Sequence, residues 1–131
     1  MKGLDTNVLV RYLTQDDPAQ SRQANAIFDD AIAKGERVHV DTVVLCELVW
    51  VLRSAYRMDR PTIADALGKL IDTAQMSFDD RDLLREAVQR YAAGSGDFSD
   101  QIVGLRHRAA GCDSTLTFDR ALKSSELFTI T

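Results

Sequence analysis

Short apolar runs alternate along this chain with stretches in which apolar residues recur every three or four positions. Residues 1–4 read as a short strand ending at Asp5. From Thr6 to Leu13, the residues Val8, Leu9, Tyr12 and Leu13 keep a helical spacing. Asp17-Pro18 marks a helix start, with Asp as N-cap and Pro in the first turn. That helix is expected to run to about Lys34 and to stop at Gly35. Arg37–Val40 reads as a strand. The apolar run from Val43 to Arg53 has the β-branched content of a strand, but with its continuation to Tyr56 it is too long for one, so a buried helix is predicted. Arg60-Pro61-Thr62 opens a helix reaching about Ala74, and Met76-Ser77-Phe78 is a brief strand. Asp79-Asp80 caps a helix over Arg81–Ala93, with Leu83, Leu84, Ala87, Val88 and Tyr91 on one face. After the loop Gly94-Ser95-Gly96 a helix is predicted from Phe98 to Ala110. Ser114–Phe118 is a strand, Asp119 begins a short helix, and Leu127–Ile130 closes the chain as a strand.

This alternation predicts an α/β fold: one domain over residues 1–131, with a mainly parallel central sheet flanked by helices. A chain of 131 residues with 45% hydrophobic and 27% charged content can bury a real core. No linker or repeat divides it. No apolar run is long enough to span a membrane, and Asp5 interrupts the N-terminus too early for a signal peptide. Cys46 and Cys112 form no CxxC pair, so buried free thiols of a cytoplasmic protein are expected. A net charge of −4 argues against a non-specific nucleic-acid binder with a broad basic face. It leaves room for a nucleic-acid enzyme whose acidic centre is neutralised by metal.

The acidic residues supply the candidate chemistry. Asp5 and Asp119 follow predicted strands, and Asp100, with Asp97 three residues before it, opens a helix. In open parallel sheets ligands bind outside the carboxyl ends of the strands, so these residues are expected on one rim. Each aspartate alone is explained as a helix cap worth ~1 kcal/mol. Glu47 is different: it sits inside Val43-Val44-Leu45-Cys46-Glu47-Leu48-Val49-Trp50, where burial would be expensive. An ion pair with Arg53 or Arg11 is the simplest structural explanation for it. Taken jointly the acids point to a metal. Two carboxylates ~4 Å apart repel by about 4 kcal/mol at an effective dielectric of ~20, and hard oxygen donors favour Mg²⁺ or Mn²⁺ over zinc. His39 and His107 neighbour no cysteine and are expected on a strand face and a helix surface. No Walker loop, GxGxxG or GxSxG motif occurs, and no Ser/His/Asp set suggests itself.

The motifs resemble those of a family. Gly3-Leu4-Asp5-Thr6-Asn7-Val8-Leu9 is similar to the opening of PIN-domain proteins, and Leu45-Cys46-Glu47-Leu48-Val49-Trp50 to the helix carrying their second acid. Asp97-Phe98-Ser99-Asp100-Gln101-Ile102 resembles their third motif, and Leu116-Thr117-Phe118-Asp119-Arg120 their fourth. Order, spacing and length are similar to those of VapC-type toxins of type II toxin–antitoxin pairs. The resemblance implies an endoribonuclease that uses Mg²⁺ or Mn²⁺, acts on an RNA substrate, forms a homodimer and is restrained by a VapB-type antitoxin. It implies Asp5, Glu47, Asp100 and Asp119 as catalytic metal ligands, Asp97 as an extra acid, and Thr6, Asn7 and Thr117 as supporting polar groups. Arg106 and Arg108 depart from the small apolar stretch usual there. Arg11, Arg120 and Lys123 are candidate phosphate contacts. The alternatives are a non-catalytic interaction module and a DNA nuclease on the same fold.

Overall fold

The computed structural model describes all residues, 1–131. Five short strands are joined through six α-helices. β1 (Lys2–Gly3), β2 (Val38–His39) and β3 (Met76–Ser77) form a parallel sheet in that order, with Lys2 opposite Val38 and Val38 opposite Met76. β4 (Thr115–Thr117) and β5 (Phe128–Ile130) form a second parallel pair. The α/β reading therefore holds, but the strands are grouped three and two rather than in one continuous sheet.

The helices are α1 (Thr6–Thr14), α2 (Pro18–Ala33), α3 (Thr42–Ser54), α4 (Arg60–Ile71), α5 (Arg81–Ala93) and α6 (Phe98–Ala109). A short 3₁₀ turn, Arg120–Leu122, separates β4 from β5. Every one of these helices, the 3₁₀ turn included, begins on an aspartate: Asp5, Asp17, Asp41, Asp59, Asp80, Asp97 and Asp119. Capping is thus a general device of this chain, and a capping aspartate by itself carries no information about chemistry.

The apolar run at Val43–Leu52 is a helix, as its length predicts. Its buried stripe is Leu45, Leu48, Val49 and Leu52, and it joins Leu9, Ile63, Leu67, Met76, Leu84 and Phe98 in the core. Each such side chain contributes about 1.5–3 kcal/mol on full burial. α3 packs against both α1 and α6, and α6 packs against β4. The elements that carry the candidate acids are therefore neighbours. No helix is long and apolar enough to cross a membrane.

Candidate active site

Asp5 stands just past β1, and its Oδ1 accepts a 2.8 Å bond from the Thr6 N–H. Asp119 stands two residues past β4; its Oδ1 accepts from the Ala121 N–H at 2.9 Å. The Thr117 hydroxyl accepts from the Asp119 N–H at 3.0 Å, so the threonine fixes the aspartate's backbone. In both aspartates one carboxyl oxygen is committed to a backbone donor and neither has a cationic partner. On the same carboxyl edge of the three-stranded sheet lies Asp41, past β2, which sequence reasoning passed over. Its carboxylate caps α3 through the Val43 N–H at 2.8 Å.

Asp97 and Asp100 form a capping box at the start of α6. The Asp100 carboxylate accepts from the Asp97 N–H at 2.8 Å. The Asp97 carboxylate is also held by the Arg53 guanidinium of α3, and this pairing raises the arginine's pKa. The two share the cap, and Asp97 is the one neutralised by a cation.

Glu47 also differs from expectation. It is exposed and makes no ion pair; Arg53 is taken by Asp97, and Arg11 by Asp16. The reason is helical phase. Val43, Glu47, Trp50 and Ser54 share the outward face of α3, while its apolar sequence neighbours Leu45, Leu48, Val49 and Leu52 turn into the core. The burial penalty inferred from sequence does not arise.

The 3₁₀ turn is docked directly on the approach to α6. Gly96 has φ +87°, and a Cβ there would lie 2.5 Å from Leu122 Cδ2 and 3.1 Å from Asp100 Oδ2. Only glycine allows that backbone conformation together with that approach. The Arg60 guanidinium secures the same loop, donating to the carbonyls of Tyr91 at 2.9 Å and Gly96 at 2.8 Å. Gly96 thus sets the segment after Asp119 against the segment before Asp100.

No three acidic, histidine or cysteine side chains come close enough together to hold an ion between them. The donor set nevertheless suits a hard divalent cation: carboxylates on adjoining elements, four of them without a cation. Beside Asp5 the Thr6 hydroxyl is buried with no hydrogen-bond partner. An unmet buried hydroxyl costs about 1–3 kcal/mol, so this position has an oxygen to spare for a ligand.

Other chemistry is absent or tied up. His39 Nδ1 lies 3.1 Å from Ser77 Oγ and its Nε2 lies 3.4 Å from Asp79 Oδ1. A Ser/His/Asp set does therefore exist, made by the β2–β3 register that pairs His39 with Ser77. It links the ends of two strands. His107 Nδ1 is 2.8 Å from the Thr115 hydroxyl. Both cysteines are free, but Cys46 is only half-buried and Cys112 is exposed, against the expectation for both. Burial pushes the Cys46 thiol up, so it is a poor nucleophile. Arg11 is not available for phosphate: it binds Asp16, Gln20 and Tyr56. Arg108 is paired with Glu86. Arg106, Arg120 and Lys123 are exposed and have no acidic partner within salt-bridge distance.

The family model of the PIN domain matches residues 3–125. A VapC ribonuclease of Aquifex aeolicus (strain VF5) is 26% identical over 123 residues, covering 94% of this chain and 90% of that protein.

Proposed function

The chain belongs to the PIN-domain family, and from that premise we propose that it is a divalent-metal-dependent endoribonuclease, the toxin of a toxin–antitoxin pair. One observation carries the reading. Asp5, Glu47, Asp100 and Asp119 lack cationic partners on elements that adjoin one another, although Arg106, Arg120 and Lys123 are spare. Carboxylates left unbalanced while cations stand unused are suited to an added positive charge.

Asp5, Glu47, Asp100 and Asp119 would hold Mg²⁺ or Mn²⁺, with Asp97 outside them and neutralised by Arg53. When bound, such an ion supplies Lewis acidity to a phosphodiester and makes water a competent nucleophile near neutral pH. Thr117 keeps Asp119 in place through its backbone N–H. Arg120 and Lys123 offer charge to flanking phosphates. His39 is engaged through both ring nitrogens, by Ser77 and Asp79, and His107 stands on another element beside Thr115, so no histidine pair is placed to activate an RNA 2′-hydroxyl. Water is then the nucleophile, and the products carry 5′-phosphate and 3′-hydroxyl ends.

A VapB-type antitoxin that presents Arg or Lys to the same carboxylates would balance them without metal. A homodimer is the proposed working form, and sedimentation of the purified chain tests it. The decisive experiment is RNA-end sequencing after expression of the chain with and without its antitoxin, with Asp100→Asn as control. New 5′-phosphate ends that need the unmodified Asp100 and vanish with the antitoxin are expected. Cleavage of matched single-stranded DNA in place of RNA would turn the reading to a DNA nuclease. No cleavage of either would turn it to an interaction module.

A further inference from the structure

Asp97 and Asp100 stand at the start of α6, and the loop Gly94-Ser95-Gly96 leads into them from α5. A loop so rich in glycine is intrinsically free, so it must be held if the carboxylates after it are to keep one position. Gln101 donates to the Ser95 carbonyl at 3.1 Å, but Gln101 belongs to α6 and moves with it. The Arg53–Asp97 pair reaches α6 from α3, but both side chains are nearly half exposed and solvent screens them. Arg60 differs from both. It opens α4, whose Ile63 and Leu67 are fully buried. Its guanidinium lies 4.5 Å from the centre of the Tyr91 ring, and one nitrogen, Nη1, bridges the carbonyls of Tyr91 and Gly96. The Gly96 carbonyl has no other hydrogen-bond partner. Tyr91 in turn meets Phe98, the first residue of α6, edge to face at 6.1 Å.

The Gly96 carbonyl and the Asp97 N–H are the two ends of one planar peptide group. The carbonyl end accepts from Arg60 at 2.8 Å, and the N–H end donates to Asp100 Oδ2 at 2.8 Å. We propose that Arg60 is a positioning residue for Asp100 and acts through this single peptide plane. The inference rests on the endoribonuclease reading, in which Asp100 holds the divalent cation. The guanidinium fixes the tilt of the plane, and with it the direction of the N–H and the rotation of the carboxylate that accepts from it. With Oδ2 bonded to the amide, Oδ1 is the oxygen left for the cation. A positive charge on the carbonyl also polarises the amide, and hydrogen bonds in a chain strengthen one another by about 10–30%. Arg60 touches neither the ion nor RNA in this role. Arg81 supplies the contrast. It too sits over an aromatic ring, Phe78, and donates only to backbone carbonyls, those of Ile71, Thr73 and Met76. None of the peptide groups it holds is bonded to a candidate acid.

The test uses the full chain. Arg60→Met removes the donor and keeps an unbranched stem. In the metal-free protein the Asp97 amide hydrogen should then exchange about two- to tenfold faster by NMR, as the loss of one supporting hydrogen bond implies. Mg²⁺ should bind about ten- to a hundredfold more weakly by calorimetry, the usual cost of losing an outer support of a metal site. Arg60→Lys keeps a charged donor at that point and should restore most of both. Arg81→Met should lower the melting temperature at least as far, yet leave the Asp97 amide and the Mg²⁺ affinity within about threefold of the unmodified chain. Should Arg60→Met not fold, Arg60→Gln, with a shorter and neutral donor, carries the same comparison and should still weaken Mg²⁺ binding by more than about threefold. An Asp97 amide that exchanges as before, or an Mg²⁺ affinity that does not fall, overturns the inference and leaves the ribonuclease reading standing. Equal weakening of Mg²⁺ binding in Arg81→Met also overturns it and assigns Arg60 to general stability. If the unmodified chain neither binds Mg²⁺ nor cleaves RNA, both the ribonuclease reading and the inference fail.

Discussion

Two groups of carboxylates on this protein are treated in opposite ways. On α5 and beside β5, Glu86 accepts from Arg90 and Arg108, and Arg90 also holds Glu126 at 2.6 Å. Both glutamates are lowered in pKa, in each case chiefly by the bond from Arg90. Near the end of α1, Asp16 is held far below the usual carboxylate range, first by the Tyr56 hydroxyl, then by Thr14 and Arg11. Asp5, Glu47, Asp100 and Asp119 have no such cation. The capping aspartates Asp17, Asp59 and Asp80 likewise bond the backbone and no cation, so an unbalanced charge alone does not mark a site. What sets Asp5, Glu47, Asp100 and Asp119 apart from these other unbalanced acids is their placement on elements that adjoin: α3 packs against α1 and α6, and α6 against β4.

The largest effect should come from neutralising the unpaired group. Glu47→Gln is expected to lower metal-dependent RNA cleavage by more than about 100-fold, since removing even an outer support of a metal site costs about 10–100-fold. The metal-free protein should keep its stability within about 0.5 kcal/mol, because Glu47 is exposed and bonds nothing. Strong destabilisation with cleavage spared would make Glu47 a structural residue and erase the contrast. Mg²⁺ at ~100 times its Kd should stabilise the unmodified chain by about 2.7 kcal/mol, and Asp100→Asn should blunt that gain in a thermal melt.

A smaller effect should separate Asp97 from Asp100, which share one cap but not one environment. Asp97→Ser keeps a capping oxygen and frees Arg53, so cleavage should stay within about tenfold of normal, the lower bound for an outer support. Asp100→Ser should abolish it. Equal loss in both would move Asp97 into the unpaired group despite its arginine. In the paired group, Glu86→Gln should leave cleavage unchanged and cost at most about 1 kcal/mol, because its partners are solvent-screened. Chemical denaturation measures that difference.

How much of this was legible in the chain follows from what sequence spacing can encode. Asp17-Pro18, Arg60-Pro61 and Asp79-Asp80 place the starts of α2, α4 and α5 within a residue or so, because caps and prolines are local signals. Length decided α3 correctly against its β-branched composition. The places of Asp5, Asp100 and Asp119 were legible because these residues follow strand ends or open a helix. The environments of the candidate acids were not. Glu47 looked buried because its neighbours in sequence are apolar, yet a shift of one residue turns a side chain by about 100° around a helix. The Arg53–Asp97 pair and the Ser77–His39–Asp79 contact each join residues about forty apart, and no local pattern announces them. Nor does the sequence reveal that the strands divide three and two, which depends on which edges pair.

The smallest effect tests the paired group through pH. Asp16 is depressed in the folded state, and the bond donated by the Tyr56 hydroxyl, 2.7 Å to Oδ2, is its leading cause. A depressed carboxylate adds stability that is fully present above its unfolded pKa of about 3.9 and is lost as pH falls toward the folded value. Tyr56→Phe removes the leading cause and leaves Thr14 and Arg11 in place. The variant should therefore be slightly less stable than the unmodified chain at neutral pH. The gap should narrow below about pH 4 as Asp16 takes up its proton. Thermal melts from pH 7 downward measure the gap directly. A gap that stays constant across that range would mean that Tyr56 acts through packing alone. Asp16 would then owe its depressed pKa to Thr14 and Arg11, and the paired group would rest less on hydroxyl bonds than its geometry indicates.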